Sequence, residues 1–112
     1  MVPLAAGFVV LVRFPFSDLS EVKLRPAVAL ADAGRGDWIL CQVTSKSYAD
    51  SSAVVLEETD FERGSLQVTS YARPGKLFTA SGNLVERIVG VLQPAAAREV
   101  IDAVVRILRG SE

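Results

Sequence analysis

Residues 38–45, Trp-Ile-Leu-Cys-Gln-Val-Thr-Ser, restrict the fold more than any other stretch of the chain. The run is almost wholly apolar and has a β-branched and aromatic bias. Gly36-Asp37 precede it and the hydroxyl pair Thr44-Ser45 ends it. Such a run reads as a strand covered on both faces. Thr44 and Ser45 stand at its exit, where a rigid scaffold aims polar side chains at something outside. The same pair can also start a turn, because both side-chain types bond to nearby backbone.

The other elements follow from this strand. Residues 8–14 are β-rich and stop at Pro15, which cannot continue a central ladder. Residues 17–24 read as a loop, and residues 25–31 as a second apolar strand with Pro26 near its start. Residues 32–37, rich in Gly and Asp, read as a hairpin turn. They include Arg35-Gly36-Asp37, the tripeptide that integrins recognise, here a coincidence of turn chemistry. Residues 46–52 read as a loop, 53–56 as a short strand, and the acid-rich 57–63 as a solvated connection. Gly64 breaks the chain and 65–70 are semi-extended. Residues 71–79 form a strand interrupted at Pro74-Gly75 by a bulge or turn. Residues 84–92 are strand-like, with a helical alternative for their first half.

The clearest helix begins at Pro94, which suits a first helical position, and stops at Gly110. Val100, Ile101, Val104 and Leu108 recur at three-four spacing. Arg98, Glu99, Asp102, Arg106 and Arg109 fall on the other side. The expectation is a mainly β (α+β) single domain over residues 1–112. It is a small SH3-like, curled antiparallel β-barrel with a C-terminal amphipathic helix packed on it.

Composition excludes several chemistries. Half the residues are hydrophobic, enough for a sound core and for a buried oligomer face. The formal charge is −1, so any anion site must be local. A single cysteine, Cys41, lies in the apolar strand, which excludes a disulfide framework and a cysteine-based metal site within one chain. Histidine is absent, which rules out serine-histidine-aspartate and paired-histidine mechanisms. No metal and no cofactor is expected. The apolar residues 1–12 lack a basic leader before them and read as a strand, and no run is long enough to span a bilayer. A cytoplasmic protein without membrane contact is expected.

Cations and hydroxyls stand beside strand ends in three places. Lys23 and Arg25 precede the second strand, Thr44, Ser45 and Lys46 leave the central one, and Arg73 and Lys76 flank Pro74-Gly75. No acid lies within 23–31, 42–49 or 65–84. Strand pairing could gather the three places into a modest basic groove. The alternative is ordinary surface charge.

Taken in order, these blocks resemble the PemK/MazF-like toxins of type II toxin-antitoxin systems. The resemblance rests on Gly7-Phe8-Val9-Val10-Leu11-Val12 with Phe14-Pro15-Phe16, Glu21, and Leu24-Arg25-Pro26-Ala27-Val28-Ala29-Leu30. It continues through residues 39–45, Gly64-Ser65-Leu66, residues 70–79, and Ile88-Val89-Gly90-Val91-Leu92 before a helix. It spans nearly the whole chain. It implies a homodimeric, metal-independent, sequence-selective endoribonuclease that cleaves single-stranded RNA and is neutralised by a cognate antitoxin. By position Arg25 matches the family's catalytic arginine and Thr44 its catalytic threonine, with Ser45 beside it. Arg73 falls in a segment that supplies a second functional arginine in some members. Those members carry an aspartate two residues on, where this chain has Gly75.

The residue types suit that chemistry. When a 2′-hydroxyl attacks the adjacent phosphorus, negative charge builds on the nonbridging oxygens. A guanidinium offers them a planar fork of donors and stays charged. Arg25 is the natural anchor and Thr44 can hold an oxygen in line, but neither is a strong base. Glu21 is the family-matched carboxylate near the expected groove, and otherwise a solvated loop residue. Splayed bases stack on aromatic rings, for which Phe16 and Tyr48 lie in expected loops and Tyr71 is also available. Phe14 and Phe78 read as core, and Trp38 as core or dimer face. Lys23, Lys46, Arg73 and Lys76 are the expected cationic RNA contacts. A second reading keeps the fold but not the catalysis: a module that binds a protein, such as DNA gyrase, the target of a fold relative. A plain structural adaptor is a third.

Overall fold

In the computed structural model, residues 3–14 and 23–110 are described. They form strands β1 (Phe8–Phe14), β2 (Lys23–Gly34), β3 (Asp37–Thr44), β4 (Val54–Leu56), β5 (Phe61–Gly64), β6 (Ser70–Ser81) and β7 (Val85–Leu92), then helix α1 (Pro94–Arg109). All strand neighbours are antiparallel, in the order β4-β6-β3-β2-β1-β7-β5. The apolar run 38–45 therefore lies in the interior of the sheet, between β2 and β6.

Alternation along the strands feeds two cores. Val28, Cys41, Val43 and Ala72 point to one face, where Ala96, Val100 and Ala103 of α1 cover them. Val10, Val12, Ala27, Ala29 and Leu40 point to the other, where Val85 is buried with them and the partly buried Phe78 and Trp38 pack against the cluster. Each fully buried Val or Leu contributes about 1.5–3 kcal/mol of transfer free energy. This is why β3 can be apolar at successive positions: it has no solvent face to supply.

The β2–β3 hairpin turns at Arg35 (φ 57°) and Gly36 (φ 81°), both left-handed as a tight hairpin connection demands. The Arg35-Gly36-Asp37 tripeptide is this turn. In α1 Pro94 occupies the first turn, and Gly110 closes the helix at φ 70° with its N–H donated to the Ile107 carbonyl at 3.1 Å. The break expected at Pro74-Gly75 is a bulge. Cys41 pairs with Leu77 and Val43 with Ala72, so residues 73–76 stand opposite Gln42 alone.

Several expectations change. Among the described residues the first strand begins only at Phe8, not throughout 1–12, and β2 begins at Lys23, inside the expected loop 17–24. Residues 57–63 are more than a solvated connection. Glu57 and Asp60 bracket a 3-10 turn with reciprocal capping bonds, and then β5 pairs with β7 and buries Phe61. A Cβ on Gly64 would collide with the Val89 carbonyl, and one on Gly90 would sit 2.7 Å from the Phe61 ring, so both glycines permit the close approach. The helical alternative near residue 84 reduces to a 3-10 turn, Gly82–Leu84, capped by the Ser81 hydroxyl accepting from the Asn83 N–H at 3.1 Å. Strands β2 and β6 run on to Gly34 and Ser81, beyond the apolar runs. Leu108, on the apolar side of the helix by spacing, is 73% exposed. It stands at the end of an apolar groove of about 230 Å³ shared with Leu30, Ile39, Leu77, Ile101 and Val105. No helix among the described residues is long and apolar enough to cross a membrane.

Candidate active site

Arg25 and Thr44 line the same cleft. The β2–β3 ladder ends where Ala27 pairs with Gln42, and Arg25 and Thr44 each lie two residues beyond that last pair on their strands. On its other side Arg25 pairs with Val12, and Thr44 pairs with Tyr71. Val12 with Arg25 and Thr44 with Tyr71 are thus two opposed pairs, and directly opposed residues share a sheet face.

The cleft measures about 220 Å³. Arg25, Gln42, Thr44, Ser45 and Tyr48 supply its polar wall, while Pro26, Val43, Leu66 and Val68 supply apolar floor and lip, with Ser70 at the base. The cleft exists because the chain leaves β3 through residues 45–53 and returns through 65–69, leaving the sheet end between two loops. A larger depression of about 320 Å³ lies along β5 and β7, but its lining holds one charged side chain, Arg63, and no hydroxyl.

Arg25 is exposed and, among the described residues, has no ion-pair partner. Thr44 takes the turn role without spending its proton. Its Oγ1 accepts the Lys46 N–H at 3.2 Å, which leaves the hydroxyl hydrogen free to donate into the cleft. A permanent fork of donors and a hydroxyl donor therefore border one anion-sized space.

Arg73 is held differently. Its Nε donates to Asp50 Oδ2 at 3.1 Å, with the two side chains 22% and 18% exposed. Its guanidinium lies 5.1 Å from the centroid of the Tyr48 ring. Tyr48 is 60% exposed, and it and Ala49 adopt left-handed φ of 52° and 54°. For non-glycine residues this conformation costs about 1–2 kcal/mol each, and it turns the ring toward the cleft mouth. The Arg73 guanidinium holds the Asp50 carboxyl below its ordinary 3.8, chiefly by hydrogen bonding. Behind the site the Cys41 thiol donates to the Arg73 carbonyl at 3.1 Å, and burial pushes it up to about 12. It stays a thiol and supplies no nucleophile.

Of the remaining expected contacts, Lys46 is exposed just past Ser45, and Lys23 is exposed at the start of β2 opposite Phe14. Tyr71 is half-buried opposite Thr44, and Lys76 is exposed in the bulge. None of these, nor Arg73, lines the cleft. Gly75 is not on the cleft either; a Cβ there would sit 3.9 Å from Ile107 of α1. Glu21 and Phe16 lie outside the described residues. Among the described residues no three carboxylates, cysteines or histidines gather as a metal site would require. Gln42, Val68 and Asp50 were not foreseen. Strand alternation from Thr44 points to Gln42, but nothing local marks the other two.

No protein-family model matches the chain, and no curated protein matches it. Solved structures do. MazF from Deinococcus radiodurans shares 21% identity, with 97% of this chain and 98% of that one covered, at a TM-score of 0.74. The MazE–MazF complex from the same organism gives 19%, 93% and 94%, also at 0.74. An endoribonuclease in complex with its cognate antitoxin, from a mycobacterial species, gives 18%, with 96% of each chain covered, at 0.72. At these identities the likeness establishes the fold, which is that of MazF.

Proposed function

We propose that the chain is a metal-independent endoribonuclease toxin that cuts single-stranded RNA at selected sequences. The observation that carries this reading is the meeting of Arg25, free of any ion pair among the described residues, with Thr44 at one cleft on a MazF fold. The guanidinium would stabilise the charge developing on the nonbridging oxygens as the 2′-hydroxyl attacks phosphorus. Thr44 would donate to one of those oxygens and hold the phosphate in line. The products would be a 2′,3′-cyclic phosphate and a free 5′-hydroxyl. Asp50, held acidic by Arg73, is a poor proton acceptor, so Glu21 is the proposed base.

The reading includes a homodimer acting in the cytoplasm and neutralised by a cognate antitoxin; for the antitoxin, the support is that one structural neighbour is an endoribonuclease in complex with its cognate antitoxin. Purified protein incubated with a long single-stranded RNA in EDTA should leave fragments with 5′-hydroxyl ends. Intact RNA over an ample range of folded enzyme would overturn the reading. One observation favours a second one: no carboxylate among the described residues lines the cleft. A non-catalytic module acting on a protein such as DNA gyrase would need none. Growth arrest that survives Arg25→Ala, without RNA cleavage, would select it.

A further inference from the structure

The residues around Tyr48 make a device that the chemistry above does not use. An exposed loop tyrosine carries an ordering cost when a base stacks on it, because its side chain must be fixed as the base arrives. Here one face of the ring is already occupied by the Arg73 guanidinium at 5.1 Å, while the ring remains 60% exposed. Arg73 is itself tethered at both ends. Its carbonyl accepts the thiol proton of buried Cys41, and its Nε donates to Asp50 Oδ2. Asp50 is fixed by its own loop: Oδ1 accepts the Ser52 N–H at 3.0 Å, its N–H donates to the Ser47 carbonyl at 3.0 Å, and its carbonyl accepts the Ala53 N–H at 3.2 Å. The ordering thus runs from the core strand through Arg73 to the ring at the cleft mouth.

We propose that Asp50 and Arg73 are positioning residues that fix the plane of Tyr48, so that its outer face is a preset platform for one unpaired nucleobase beside the scissile phosphate. The assignment rests on the nuclease reading for its substrate, but the clamp itself does not. It also gives Arg73 a role other than phosphate ligand. Its Nε is committed to a carboxylate, the pair is neutral as a unit, and the cleft is left to Arg25.

Two measurements on the full chain test it. The first needs no RNA. The Arg73 Nε–H resonance should carry the Tyr48 ring-current shift and should move in both Tyr48→Leu and Asp50→Asn. No movement in either variant would overturn the clamp even if the protein proves not to be a nuclease. The second reads cleavage. Asp50→Asn and Tyr48→Leu should each raise KM for single-stranded RNA about tenfold with kcat retained, a loss within the range of one base–aromatic stack. Tyr48→Phe should restore KM, and the double variant should be no worse than Tyr48→Leu alone. Additive losses, or a fall in kcat at unchanged KM, would overturn the assignment. Tyr48 is exposed, so its variants keep the test valid if Asp50→Asn folds poorly.

Discussion

Arg25 and Arg73 stand near the same end of the sheet, and their surroundings are opposite. Arg25 leaves the start of β2 into a cleft with no carboxylate in its lining among the described residues. Arg73 leaves a bulge of β6 against Asp50 and the Tyr48 ring. On the proposed reading, a guanidinium with no acid beside it among the described residues serves an incoming phosphate, and one already paired acts as a brace. Residue type alone does not separate the two; the position of a single acid does.

The sharpest way to break this contrast is to remove each arginine. Arg25→Ala should lower kcat by about 10²–10³, the usual cost of losing one transition-state donor, with Tm near wild type. A large fall in Tm would mark Arg25 as structural. Arg73→Ala should do the reverse. Stranding Asp50 in a partly buried site should cost about 1–2 kcal/mol, or about 4–8 °C in Tm, while kcat on RNA falls little.

Acid sharpens the comparison further. Asp50 titrates below 3.8 because Arg73 bonds its charged form. The stabilisation is therefore fully present above the unfolded-state value and disappears as pH falls through the lower folded-state value. Acid unfolding followed by circular dichroism should show a component below about pH 4 that Asp50→Asn removes and Arg25→Ala leaves in place. The smallest effect belongs to the cations outside the cleft. Lys23→Ala and Lys46→Ala should each reduce the salt slope of RNA binding by about 0.7, with kcat unchanged. A larger loss would move either lysine into the site.

The central strand, the helix and the bulge were legible because each is written locally: an apolar run, a three-four repeat with Pro94 and Gly110, and Pro74-Gly75. Strand β5 was not. One aromatic among acids gives no alternation to read, and what fixes it is the approach of Gly64 and Gly90 across two strands. The polar ends of β2 and β6 were missed because hairpin geometry and neighbouring strands extend them, not hydrophobicity. Periodicity gave the apolar side of the helix, but not how far the sheet beneath it reaches, so Leu108 was left uncovered. At the site, the meeting of Arg25 with Thr44 could be anticipated from ordered blocks. Asp50 could not, since its bond to Arg73 joins residues 23 apart in sequence with no local pattern between them. Glu21 and Phe16 lie outside the described residues and stay expectations.

The bulge in β6 also bears on how this chain can vary. With residues 73–76 facing a single residue of β3, the strand carries slack between its two paired halves. Gaining a residue at its exposed Gly75-Lys76 side, away from tethered Arg73 and buried Pro74, would leave both the Thr44–Tyr71 and the Cys41–Leu77 pairings in step. Descendants of this sequence could therefore change length beside the helix, away from the cleft, without re-threading the sheet.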